Sequence, residues 1–118
     1  MRRIFALFLA LFLLISPVQA KSGTKYAALT FDDGPSGRIT RALLDGLEQR
    51  NVHATFFLCG YRLADYGDEA ALIRQKGHEV GLHGYSHDSM AKMDERTLRR
   101  ELEDTASLLP AGCPVSLM

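Results

Sequence analysis

The residues of this chain best suited to chemistry fall in two short clusters, Asp32-Asp33-Gly34-Pro35 and His83-Gly84-Tyr85-Ser86-His87. Neutral imidazoles suit zinc and neighbouring transition metals, and Asp33 adds a carboxylate to His83 and His87. Two histidines and one carboxylate leave positions open for water and substrate. That is the arrangement of a catalytic metal site, whereas a structural site is closed by four protein ligands. Asp32 adjoins Asp33, and successive residues leaving a strand point in different directions. One carboxylate can therefore bind the metal while Asp32 stays free to take a proton from the attacking water. Taken singly, each cluster has a plainer explanation: paired histidines four apart are common, and Asp-Asp-Gly-Pro is often a turn in front of a helix. Gly84 follows His83 where the helical zinc-protease motif has Glu, which argues against peptidase chemistry of that kind.

The rest of the chain supplies elements that would position these clusters. Tyr26 to Phe31 is a short, mostly apolar run stopped by Asp32-Asp33-Gly34-Pro35, which predicts a buried strand ending in a polar turn. Ile39, Ala42, Leu43, Gly46 and Leu47 recur at helical spacing, with Arg41, Asp45, Glu48 and Arg50 opposite and Ser36 or Thr40 as cap. Ala54-Thr55-Phe56-Phe57-Leu58 predicts a second strand closed by Cys59-Gly60. A helix is expected from about Asp68 to Lys76, stopped by Gly77. His78 to Leu82 reads as a third strand, which delivers His83. Asp94 should cap a third helix with Leu98, Leu102, Ala106 and Leu109 on one face and Arg96, Arg99, Arg100, Glu101 and Glu103 on the solvated face. Gly112 ends that region, and Pro114 to Leu117 begins a fourth strand.

Strand and helix alternating in this way imply an α/β protein with parallel strands joined by right-handed crossovers, as an open sheet or a barrel. Both architectures put their sites at the C-terminal ends of the strands, where both clusters fall. His78 is expected to be structural, His53 to face solvent, and Tyr85 and Phe31 to pack the site floor. Asp88 is a candidate for orienting an imidazole.

The first 20 residues have the organisation of a secretory signal: Arg2 and Arg3, the apolar run Ile4 to Ile15, a break at Ser16-Pro17, and Val18-Gln19-Ala20 before the cut. The apolar run is shorter than the roughly 20 residues a spanning helix needs. Cleavage is expected to leave residues 21–118 as one domain, without a membrane span, working outside the cytoplasmic membrane. The full chain has 14 cationic and 14 anionic side chains, and removing the leader's two arginines leaves a formal charge of −2. No basic field exists to hold a phosphate backbone, so nucleic acid is excluded as a partner. With 47% hydrophobic and 24% charged residues the composition is that of a folded protein. Cys59 and Cys113 match no zinc spacing and are expected to be free thiols, although an exported protein permits a disulfide.

Thr30-Phe31-Asp32-Asp33-Gly34-Pro35-Ser36 followed by His83-Gly84-Tyr85-Ser86-His87 resembles the first two motifs of the polysaccharide deacetylases with a NodB-homology domain, carbohydrate esterase family 4. Ala54 to Leu58 and Gly77 to Gly81 resemble that family's second and third strands, so the resemblance runs over roughly residues 25–117, nearly all of the chain after the leader. It implies a distorted (β/α) barrel of fewer than eight strands, of which residues 21–118 form the N-terminal part, truncated after about three β/α units. It implies a divalent metal, most often zinc, held by Asp33, His83 and His87, with Asp32 as catalytic base. It implies hydrolysis of acetyl groups from an extracellular N-acetylglucosamine polymer such as peptidoglycan or chitin, with acetylated xylan a lesser expectation. Gly84 departs from the family's usual Ser or Thr, and Leu82 from a frequent Asn. The family's later arginine-proline, aspartate-tryptophan and leucine-x-histidine motifs lie beyond Met118, among them the histidine that protonates the leaving amine. The alternative is therefore a non-catalytic or truncated fragment of the same fold that binds metal or glycan only. Asp32 argues for catalysis, because a module that only bound metal would have no use for a base.

Overall fold

The computed structural model describes residues 23–110 and 115–116. The leader, Gly112 and Cys113 lie outside the described residues. Four strands form one parallel sheet in the order β1 (Thr30–Gly34), β2 (Thr55–Leu58), β3 (Glu79–Leu82) and β4 (Val115–Ser116). Between them run α1 (Gly37–Gln49), α2 (Gly60–Leu63), α3 (Gly67–Gln75) and α4 (Glu95–Ser107), with a 3-10 turn at Met90–Lys92 before α4. The α/β architecture with parallel strands is the one expected. A parallel sheet is covered on its faces by its crossover helices, so its strands are apolar throughout instead of alternating. In β2 this shows directly: Phe56, Phe57 and Leu58 are all buried. Phe56 and Leu58 pack with Leu44, Leu47, Leu63, Ala70, Ile73 and Val80 in the core. Among the described residues no helix is long and apolar enough to cross a membrane.

Three expectations are corrected. The first strand does not begin at Tyr26: residues 23–29 are exposed and irregular, and Tyr26 is 91% exposed. Pairing with β2 starts where Thr55 donates to the Leu29 carbonyl at 3.0 Å and runs through Asp32-Asp33-Gly34. The motif expected to be a turn is thus the end of the strand, with an irregular register between Phe31 and Gly34. Apolar character alone cannot place a strand boundary that is set by where a partner strand lies.

The buried face of α1 is also rotated from the predicted one. It consists of Thr40, Leu44 and Leu47, while Ile39 is 70% exposed and Ala42 is exposed. The Thr40 hydroxyl turns back and accepts the Ser36 N–H at 2.9 Å, while the Ser36 side chain makes no capping bond. Thr40 fixes the start of the helix from inside, and so points inward.

In α4 the fully buried side chain is Thr105, whereas Leu98 and Leu102 are half-buried and Ala106 is exposed; Leu109, also half-buried, lies past the end of the helix. Asp94 caps this helix as predicted, accepting the Thr97 N–H at 2.7 Å. The short α2 was not foreseen, since four residues carry no readable periodicity. The helix predicted at 68–76 is α3, and Gly77 ends it at φ +81°. Its buried Glu69 is paired with Arg41 of α1 at 2.8 Å, as a buried carboxylate requires.

His78 is structural. It is buried just before β3, and its Nδ1 accepts the Ala54 N–H at 3.2 Å, tying the N-terminal ends of β2 and β3 together. Burial first, then the neighbouring His53 and Lys76 charges, lower its proton affinity from the ordinary value of 6.5. The folded chain then binds fewer protons here than the unfolded chain does. This contribution to stability is full above about pH 6.5 and is lost as pH falls through the lowered folded value. The denaturant midpoint should fall on acidification from pH 7 to pH 5, and His78→Gln should flatten the part of that profile owed to this ring.

Candidate metal centre

The register of the strands lines up their C-terminal ends. Cys59 donates to the Gly34 carbonyl at 2.8 Å, and His83 donates to the Leu58 carbonyl at 2.9 Å, each bond continuing the ladder one residue past the strand. Asp33 at the end of β1 and His83 just after β3 are thereby brought to the same edge. The loop after His83 turns His87 back towards them. Asp33 Oδ1 lies 3.1 Å from His83 Nε2 and 2.8 Å from His87 Nε2. One ligand atom from each of the three residues falls within 4.8 Å of the others. His83 is mostly buried, while Asp33 and His87 are about half exposed, so the cluster is walled on one side and open on the other.

Two of these three residues hold unusual backbone. Asp33 (φ +64°) and His87 (φ +67°) are left-handed, as is Asn51 among the other described non-glycine residues. Such conformations cost free energy and persist only where the surroundings impose them. For His87 the surroundings are a set of backbone bonds on its loop. Gly60 and Tyr61, at the start of α2, donate to the carbonyls of Gly84 and Tyr85 at 3.0 and 3.1 Å. On the other side, the backbone N–H groups of Tyr85 and Ser86 both donate to Glu101 Oε2, at 2.6 and 2.8 Å. Gly84 (φ +79°) stands where the loop first bends, and a Cβ there would lie 3.0 Å from Met90 Cε and 3.3 Å from Glu101 Oε2.

Glu101 therefore does not belong to the solvated face of α4 assigned to it from sequence. It stands three residues after Leu98 and four before Thr105, in register with the inward side of the helix. That spacing was its only signal in the sequence. Burial pushes its carboxyl up, but the Ser86 and Tyr85 hydrogen bonds outweigh this and hold it below its ordinary range.

Asp32 is exposed and stands outside the three-residue cluster. Asp88 donates its backbone N–H to Ser86 Oγ at 3.2 Å, and among the described residues its carboxylate bonds to neither imidazole. Phe31 belongs to the core, its ring 5.2 Å from that of Phe56. Tyr85 lies over Gly60 instead of under the histidines. Cys59 is a free, buried thiol pushed up to about 11 by burial and by the Asp33 charge, and it stands outside the three-residue cluster.

The donor set fits a borderline divalent ion: one carboxylate oxygen and two imidazole nitrogens, with an open side for water. His83 Nδ1 is buried with no hydrogen-bond partner among the described residues. A ligating imidazole usually gives its second N–H to an acceptor, so that position calls for a group beyond the three-residue cluster.

A parallel α/β sheet with such a cluster at its strand ends is a framework that could hold a metal ion. Residues 19–114 match the family model described as polysaccharide deacetylase, and the chain belongs to that family. It is 43% identical over 82 residues to the peptidoglycan-N-acetylglucosamine deacetylase of Bacillus cereus, covering 70% of this chain and 30% of that protein. It is 33% identical over 96 residues to a chitooligosaccharide deacetylase of Rhizobium leguminosarum bv. trifolii, covering 81% of this chain and 45% of the relative. The structure of peptidoglycan deacetylase PdaC from Bacillus subtilis superposes with a TM-score of 0.71 at 33% identity, over 76% of this chain and 47% of that one. The chain thus spans less than half the length of each of these proteins.

Gly60 is the tightest point of the loop's support. A Cβ there would meet Tyr85 Cδ2 at 2.3 Å and Thr105 Oγ1 at 2.8 Å. Gly60→Ala should cost about 1–3 kcal/mol, the usual range for overpacking, seen as a lower denaturation midpoint. It should also weaken zinc binding, measured by competition with a chromophoric chelator, because Tyr85 must move.

Proposed function

We propose that the protein carrying this chain removes acetyl groups from an extracellular N-acetylglucosamine polymer, using a divalent metal, zinc in the first instance, held by Asp33, His83 and His87. The observation that carries this reading is the convergence of one carboxylate oxygen and two imidazole nitrogens at the strand ends of a polysaccharide deacetylase domain. A bound ion of this type supplies Lewis acidity, bringing the pKa of water towards neutrality and polarising a carbonyl. Asp33 and the two imidazoles hold it. Asp32, exposed beside Asp33 and outside the ligand set, takes the proton of the attacking water. Cleaving the amide also needs a proton on the departing amine. His53 and His78 stand at the opposite, N-terminal ends of β2 and β3, too far along the strands to serve as that donor. The relatives named for peptidoglycan and chitooligosaccharide deacetylation favour an N-acetylglucosamine polymer. A bifunctional xylanase/deacetylase from Pseudobutyrivibrio xylanivorans, 41% identical over 88 residues, makes acetylated xylan the substrate to compare.

Asp32 and Asp33 separate in their expected failures. In the whole protein, Asp33→Ala should lose metal, since it removes one of three ligands. Asp32→Asn should keep its metal content and lower turnover by about 10²–10⁴-fold, the usual worth of a general base. Metal analysis with acetate-release kinetics on a chitin oligomer and on acetylated xylan measures both. Equal metal loss in the two variants would overturn the assignment of roles.

Export is part of the same proposal, and rests on the charged start, apolar run and Val18-Gln19-Ala20 of the first 20 residues. Expressed with its leader in a secreting bacterium, the protein should be recovered outside the cytoplasmic membrane with Lys21 as its N-terminal residue, as read by N-terminal sequencing.

A further inference from the structure

The loop that carries His87 has little side-chain support of its own beyond the Asp88 N–H on Ser86 Oγ and the Tyr85 ring against Gly60. Tyr85, Ser86, His87 and Asp88 are all exposed, yet His87 Nε2 must stay on Asp33 with its own backbone left-handed. What confines the loop is a pair of holds on its backbone from two distant elements. The start of α2 takes the carbonyls of Gly84 and Tyr85. A single carboxylate oxygen, Glu101 Oε2, takes the N–H groups of Tyr85 and Ser86. Tyr85 is thus gripped at both its N–H and its C=O, which leaves its two flanking peptide planes little freedom. The helix is anchored where it carries this carboxylate, because the Thr105 hydroxyl donates to the backbone carbonyl of Glu101 at 2.7 Å and Thr105 is fully buried against Gly60. Hydrogen bonds to an ionised acceptor are shorter and roughly twice as strong as neutral ones, and both bonds here are short.

We propose that Glu101 is a positioning residue for the metal centre: by holding the Tyr85 and Ser86 amides it sets the direction in which His87 leaves the loop, without touching the ion or the substrate. The inference rests on the metal reading of Asp33, His83 and His87. Outer residues that orient ligands are worth about 10–100-fold in metal affinity, and Glu101 should fall in that range although it reaches the ligand through backbone.

The test uses the whole protein that carries this chain, with zinc as the only probe, and two readouts. One is the zinc dissociation constant by chelator competition. The other is amide hydrogen exchange of Tyr85 and Ser86 in the metal-free protein, followed by NMR. Glu101→Ala should weaken zinc binding by about 10–100-fold and unprotect both amides. Glu101→Gln keeps an oxygen at the same reach and should retain most of both properties, whereas Glu101→Asp, one methylene short, should not. A merely structural role would not sort the three variants by acceptor reach. Should Glu101→Ala fail to fold, the Gln and Asp variants carry the comparison. Wild-type affinity and protection in every folded variant would overturn the proposal while Asp33→Ala still abolished binding. Zinc binding equally poor in wild type and Asp33→Ala would overturn the metal reading instead. The exchange data would then decide alone whether Glu101 orders the loop.

Discussion

The structure turns on the way three strand ends are zipped together at one edge of the sheet. Parallel pairing of β2 and β3 runs in register from Thr55 opposite Glu79 to Leu58 opposite Leu82. Continuing that ladder by one residue places the His83 N–H on the Leu58 carbonyl, while the Cys59 N–H reaches back to Gly34. These bonds oblige Asp33, Cys59 and His83 to emerge side by side. The core residues Phe56, Leu58 and Val80 secure the register, because a slip of one residue would turn every side chain to the other face. In a parallel sheet buried on both faces the penalty of such a slip is mismatch against helices on both sides.

Everything that shapes the cluster follows from this edge. The residues there are polar and the backbone is bent, with Asp33, Gly84 and His87 all at positive φ. Such strain is stable only because each bent segment is hydrogen-bonded to something rigid: α2 on one side, α4 on the other, and β2 beneath. The electrostatics run in the same direction. Carboxylates gather at this end, and burial together with the Asp33 charge pushes up the Cys59 thiol below them.

The departures from the family's usual pattern have physical settings here. Leu82 is buried and lines an open apolar groove with Leu98, Leu102 and Ala106 of α4, so the position where Asn is frequent is committed to packing. Gly84 is buried at positive φ in contact distance of Met90 and Glu101, where any side chain would meet both. Neither change removes a donor from the three-residue cluster.

Much of this was legible in the chain itself. Asp33, His83 and His87 were picked out because their chemistry is written in residue type, and the second and third strands because β-branched and aromatic runs ended by glycine are local signals. The cap at Asp94 and the stop at Gly77 are likewise decided within a few residues of backbone. What the sequence alone determined, then, was what depends on neighbours along the chain. The tertiary structure decided the rest. It set where β1 begins, since an edge strand exists only as far as its partner runs. It chose the buried side of α1, because Thr40 bonds back to Ser36 and turns the helix. It drew Glu101 out of a charged stripe and onto the Tyr85 and Ser86 amides. Each of those outcomes rests on a bond or a contact that no periodicity anticipates, because its two ends are matched by the way the elements pack and not by their spacing.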